Sequence, residues 1–168
     1  DAPGWQEVRT WLEEKMPADH PRPAIVHNDY RFDNVILDAN DPLRIIGVLD
    51  WELTTLGDPL MDLGNTLAYW IEADDPAPVQ LMRRQPSNAP GMLTRQAFVD
   101  YYAERAGIEI KCFDFYYIYG LFRLAGIVQQ IYYRYYHGQT ADKRFASFVQ
   151  MNALLEKMAL GVVARSSL

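Results

Sequence analysis

The sequence predicts an α+β chain that is mostly α, a small β element followed by a helical bulk. Two observations carry this. Three short Val- and Ile-rich runs, bounded by turn residues, fall between residues 24 and 49. Beyond residue 94 the chain turns to long segments with apolar residues at helical spacing. The 168 residues are 49% hydrophobic and 23% charged, which excludes a disordered or collagen-like chain.

Taken in order, Trp5 to Lys15 reads as a helix with Trp5, Val8, Trp11 and Leu12 on one face. Pro17, Pro21 and Pro23 end it and make an extended approach. Ala24–Val26, Val35–Leu37 and Leu43–Leu49 read as strands, with Asn40-Asp41-Pro42 as a hairpin turn between the last two. Asp58-Pro59 is an N-cap followed by Pro at the first helical position, and Leu60, Leu63, Leu67 and Trp70 continue at helical spacing. Residues 72–92, with four prolines, read as a long loop. Three helices follow, near 94–106, 113–136 and 140–164. The Tyr-rich stretch of the second, from Tyr116 and Tyr117 to Tyr135 and Tyr136, reads as core and groove wall. Arg123 and Arg134 interrupt that segment, so it reads as a buried helix and no membrane span is expected.

Composition limits the function. The net charge of −6 argues against a general nucleic-acid surface. Cys112 is the only cysteine, which excludes an internal disulfide and a cysteine-based zinc cluster. No signal peptide is visible, so the expected compartment is the cytoplasm. Gly-x-Ser-x-Gly, His-Glu-x-x-His and Walker A patterns are all absent.

The chemistry concentrates between residues 24 and 64. His27-Asn28-Asp29-Tyr30-Arg31-Phe32-Asp33-Asn34 has the spacing His-x-Asp-x-x-x-x-Asn, and Val48-Leu49-Asp50-Trp51-Glu52 follows it. Asn34 starts one strand and Asp50 ends the next. A hairpin about Asn40-Asp41-Pro42 sets them nearly opposite each other, where paired Cα atoms lie about 5 Å apart. An amide oxygen and a carboxylate at one hairpin end suit Mg²⁺, which also keeps waters and takes substrate phosphates. Asp29, at the start of the same loop, is placed to meet a hydroxyl and accept its proton.

The segment as a whole resembles the aminoglycoside phosphotransferase and choline-kinase-like family, which shares the protein-kinase-like fold. Leu-Asp-Trp-Glu and the later Asp58-Pro59-Leu60-Met61-Asp62-Leu63 strengthen the match. The pattern is most similar to the branch sometimes fused to acyl-CoA dehydrogenases. The motifs cover about a quarter of the chain. The resemblance implies an ATP- and Mg²⁺-dependent kinase acting on a small-molecule hydroxyl, hydroxyacyl or aminoglycoside-like. It implies Asp29 as base, Arg31 as a stabiliser of transferring charge, and Asn34 and Asp50 as metal and nucleotide ligands. It also implies structural support from His27, bonded to a backbone carbonyl, and from Asp62, bracing the catalytic loop. Asp33 reads as a loop-stabilising acceptor.

There are departures. Asn28 stands where Gly is usual after the His, which bears on the loop geometry, and Trp51 replaces the kinase Phe. No Gly-rich loop or strand Lys precedes His27, and 26 residues cannot hold a nucleotide-covering lobe. The expected organisation is therefore a C-terminal lobe: a leading helix and linker (1–23), a catalytic and metal-binding segment (24–64) and a helical subdomain (65–168). The partner lobe is expected to be absent, leaving apolar surface near the hairpin that invites self-association. The alternatives are a non-catalytic binding or scaffold module of the same fold, and a metal-dependent phosphohydrolase using His27, Asp29 and Asp50.

Overall fold

The computed structural model describes residues 4–168. The leading helix α1 spans Gln6–Glu14 and buries Val8 and Leu12. Four short strands follow, β1 (Ala24–Val26), β2 (Val35–Leu37), β3 (Ile45–Val48) and β4 (Thr55–Gly57). They form two separate antiparallel pairs, β1 with β4 and β2 with β3. The β2–β3 hairpin turns at residues 38–44, where Asp38 and Asp41 side chains accept from the Asn40 and Leu43 backbone N–H groups. Its register pairs Val35 with Val48, and an irregularity follows between Ile36 and Leu37.

Helix α2 (Pro59–Ala68) starts at Asp58, whose side chain accepts from Leu60 N–H at 2.9 Å. Its second carboxylate oxygen accepts from the Tyr116 hydroxyl at 2.9 Å. After α2 come the short α3 (Ala77–Gln80), α4 (Arg95–Ala106), the long α5 (Asp114–Tyr136) and α6 (Phe148–Val163). Helix α5 is the axis of the fold. Leu121, Leu124, Ala125 and Val128 bury against α6 residues such as Leu155 and Ala159, and against Val8 of α1. A smaller cluster, Leu63, Leu67, Trp70 and Val99, joins α2 to α4. Two polar bonds lock the larger core. Trp5 Nε1 donates to Asn152 Oδ1 at 2.9 Å, and Asn152 Nδ2 donates to the Ala125 carbonyl at 3.0 Å.

Some expectations need correction. The strand read over 43–49 is limited to Ile45–Val48, because the turn takes Leu43 and Arg44. β4 was not foreseen: three residues show no alternation, and its partner β1 lies far away in sequence. The last helix begins at Phe148, after a 3-10 turn over Lys143–Ser147 capped by Asp142. The proline-rich loop contains α3 and is tied down by buried Ser87, which donates to the Ile71 carbonyl and accepts from its N–H. Tyr133 and Tyr136 are exposed and lie against His137 instead of lining a core, whereas Tyr116, Tyr117, Tyr119 and Tyr132 pack on the core.

Apolar side chains around the hairpin are uncovered. Leu43 is 95% exposed, and Ile25, Ile36, Leu37, Ile45, Ile46, Leu49 and Leu56 are exposed as well. No described helix is long and apolar enough to cross a membrane.

Candidate active site

The loop between β1 and β2 holds four of the six residues singled out from the sequence, His27, Asp29, Arg31 and Asn34, in one hydrogen-bonded cluster, with Asp62 reaching it from α2 and Asp50 standing just beyond β3. His27 is 3% exposed. Its Nδ1 accepts from Asp29 N–H at 3.2 Å, so the ring carries its proton on Nε2, which donates to the Leu49 carbonyl at 2.7 Å. The histidine thus ties the loop to the end of β3. Asp62 ties it to α2: Oδ2 accepts from His27 N–H at 2.7 Å and Oδ1 from Asn28 N–H at 2.8 Å.

Asn28 sits at φ 65°, the left-handed region that Gly enters freely and Asn tolerates best among other residues. Its side chain is held at both ends. Nδ2 donates to the Leu53 carbonyl at 2.9 Å, and Oδ1 accepts from Asn65 Nδ2 at 3.1 Å. A residue other than Gly therefore keeps the sharp loop and adds a bond to each side of it.

Asn34 fixes Asp29. Its Nδ2 donates to the Asp29 carbonyl at 2.8 Å and to Asp29 Oδ2 at 3.0 Å. Among the described residues no hydrogen bond uses Asn34 Oδ1, so the amide's acceptor end is available to a cation. The Asn34 carbonyl accepts from Leu49 N–H at 2.8 Å, which brings Asp50 alongside. Asp50 adopts φ 63°, is exposed, and its carboxylate has no protein hydrogen bond among the described residues.

Arg31 closes the other side. Its Nη2 donates to Asp29 Oδ2 at 3.2 Å, and Nε lies 3.0 Å from Asp29 Oδ1 without the alignment of a hydrogen bond. Nη1 is 3.5 Å from Asp33, and the guanidinium lies 4.8 Å over the Tyr69 ring. Burial raises the Tyr69 hydroxyl pKa above its ordinary value, with Arg31 opposing and Asp29 adding to the effect.

A family model for a phosphotransferase enzyme family (APH) matches residues 2–98, more than half of the chain. The chain belongs to this phosphotransferase family. The mouse protein acyl-CoA dehydrogenase family member 11 is 31% identical over 159 residues, covering 90% of this chain and 19% of the relative. Mouse acyl-CoA dehydrogenase family member 10 is 33% identical over 159 residues, covering 94% of this chain and 14% of the relative. The chain therefore spans less than a quarter of these curated relatives. A crystal structure from Ralstonia eutropha, provisionally described as an aminoglycoside phosphotransferase, superposes with a TM-score of 0.81 at 28% identity. It takes in 100% of this chain, which corresponds to 51% of that protein.

Phosphotransferases of this family imply ATP and Mg²⁺, and the residues present fit a hard cation. No group of three or more His, Cys, Asp or Glu is arranged to hold a metal ion by itself among the described residues. Two oxygen-bearing groups, the Asn34 amide oxygen and the Asp50 carboxylate, stand unpartnered among the described residues on one hairpin end. A sparse all-oxygen set suits an ion that completes its shell with water and phosphate.

Sequence reasoning missed the shell behind the loop. Thr66 Oγ1 donates to the Tyr30 carbonyl at 2.9 Å, and Gln85 Oε1 accepts from Phe32 N–H at 3.0 Å. Asn65, Thr66 and Gln85 are all buried. A signal for two of them was present. Asn65, Thr66 and Tyr69 follow Asp62 by three, four and seven positions, one face of α2. Gln85 carries no such signal, because it lies in the irregular loop.

Proposed function

We propose that this chain supplies the catalytic loop and metal ligands of an ATP- and Mg²⁺-dependent phosphotransferase acting on a small-molecule hydroxyl. The observation that carries the reading is the double bond from Asn34 Nδ2 to the carbonyl and carboxylate of Asp29. It orients the base with one end of an amide whose other end remains for the metal.

Asp29 accepts the proton of the attacking hydroxyl. Arg31 holds its positive charge beside that carboxylate and offsets charge on the transferring phosphoryl group. Asn34 and Asp50 hold Mg²⁺, which when bound neutralises charge on the nucleotide phosphates. His27 and Asp62 keep the loop in place from its two sides. The chain has no Gly-rich loop upstream of His27, so the remaining nucleotide contacts come from a lobe outside these residues. Such a lobe would also cover the exposed hairpin, and without it the chain self-associates through that surface. The acyl-CoA dehydrogenase names of the curated relatives favour a hydroxyacyl acceptor over an aminoglycoside-like alcohol.

The test is ATP turnover by the full-length protein. Asp29→Asn is expected to lower kcat by roughly 10²–10⁴-fold, the usual worth of general-base catalysis. Asn34→Ala and Asp50→Ala are expected to raise the Mg²⁺ concentration needed for half-maximal rate. Undiminished turnover in Asp29→Asn overturns the assignment of the base.

A further inference from the structure

Three arginines are half-buried: Arg31, Arg95 and Arg123. Arg31 pairs with Asp29 and Asp33, and Arg95 with Glu72 and Asp75. Arg123 pairs with nothing: among the described residues it takes part in no ion pair, side-chain hydrogen bond or cation–π contact. Holding a guanidinium partly out of water with no counter-charge costs free energy, which a protein recovers when a ligand supplies the anion.

The position of Arg123 follows from how α2 and α5 run. The two helices advance together. Asp58 meets Tyr116, Gly64 meets Gly120, and Arg123 follows Gly120 by three residues beside the end of α2. There its charge acts on the Tyr69 hydroxyl. Tyr69 in turn carries the Arg31 guanidinium on its ring, and Arg31 is paired to Asp29. Contacts thus run from Asp29 through Arg31 to Tyr69, and Arg123 stands within electrostatic reach of the last. Asn34, the candidate metal ligand, touches Asp29 from the hairpin side. Tyr69 closes α2 and Arg123 lies on α5, so these contacts lead from the base into the helical subdomain.

We infer that Arg123 binds an anionic group, a carboxylate or a phosphate, on the acceptor molecule. Its planar fork of donors matches either oxyanion, and it selects acids over neutral or cationic alcohols. The inference rests on the phosphotransferase reading for its choice of ligand, but not for its readout.

The experiment uses the full-length protein and four alcohols of one chain length: 5-hydroxypentanoate, 5-hydroxypentyl phosphate, 1,5-pentanediol and 5-amino-1-pentanol. Binding is measured by calorimetry at low salt with an ATP analogue present, so that no turnover is needed. The wild type is expected to bind at least one anionic probe about 10-fold or more tighter than the diol, and the amine weakest. The better of the two anions tells carboxylate from phosphate recognition. Arg123→Gln, which keeps the length of the side chain, is expected to bring the anion-to-diol ratio near 1. Arg123→Lys keeps part of the preference and shows that the fold survives at this position. A ratio near 1 in the wild type, or an unchanged ratio in Arg123→Gln, overturns the inference, even where ATP turnover is seen. A ratio of 10 lost in Arg123→Gln, in a protein that transfers no phosphate, upholds it and overturns the phosphotransferase reading instead.

Discussion

Gly120 of α5 lies against Gly64 of α2 so closely that a Cβ on Gly120 would sit 2.3 Å from the Gly64 carbonyl oxygen. A Cβ on Gly64 would sit 2.2 Å from the Tyr116 carbonyl oxygen. The helices touch backbone to backbone, and this contact sets the depth of α2 beneath the catalytic loop. Asp62, Asn65 and Thr66 reach that loop because α2 is seated this low.

Gly120→Ala is therefore expected to push the two helices apart, since the obstacle is backbone and cannot rotate away. Overpacking of this kind costs roughly 1–3 kcal/mol, and a backbone clash belongs at the upper end. Thermal unfolding should show a lower midpoint, and ATP turnover should fall with it as Asp62 is withdrawn from the loop. Gly126→Ala is the control, because a Cβ there meets nothing within 4 Å.

Asp62 accepts from two backbone N–H groups with its two oxygens. Asp62→Asn keeps the shape but turns one acceptor into a donor aimed at an N–H. One loop amide is left unpaired, at a cost of about 1–3 kcal/mol. The expected outcome is a fall in kcat of at least 10-fold with a smaller change in the KM for ATP. An unaltered kcat would show that the loop holds its shape without α2.

The chemistry of this site was legible because its residues are close in sequence or sit at the ends of one hairpin. His27, Asp29, Arg31 and Asn34 share a single loop, and the Asn40-Asp41-Pro42 turn fixes where Asp50 must fall. The capped start of α2 was legible for a similar reason, because Asp58-Pro59 acts locally. What stayed hidden depends on tertiary approach. The β1–β4 pair joins segments with no pattern of their own, and Gln85 reaches Phe32 from a loop of irregular backbone. Gly64 and Gly120 look like helix weaknesses until the two helices are seen to cross there.

Arg95 joins the proline-rich loop to α4. It donates to the Trp70 carbonyl at 2.9 Å and to Asp75 through both terminal nitrogens, while its own backbone N–H donates to Glu72. Arg95→Met removes the cation and leaves two half-buried carboxylates facing each other. Breaking a buried pair from one side costs about 3–5 kcal/mol, and partial solvent contact reduces that here to about 2–3 kcal/mol. Limited proteolysis should then cut within 72–92 faster than in the wild type. Glu72→Gln combined with Asp75→Asn in the Arg95→Met background should restore part of the loss.

Tyr117 provides a test in alkali. Burial above all pushes its hydroxyl up to about 12, with Arg95 opposing, Asp75 and Glu72 adding, and Arg165 opposing. In the unfolded chain the same group titrates near its ordinary value of 10.0. Between these two values the unfolded state has lost the proton and the folded state still holds it, so stability falls as pH rises. Below about pH 10 the contribution is fully present, and above about pH 12 it is gone. The loss is at most about 2 kcal/mol, because the ring keeps some contact with solvent. Tyr117→Phe has no proton to lose and should flatten the decline. Urea midpoints at pH 9, 10 and 11 for wild type and variant measure the difference directly. Parallel curves for the two proteins would mean that Tyr117 ionises as freely in the fold as in water.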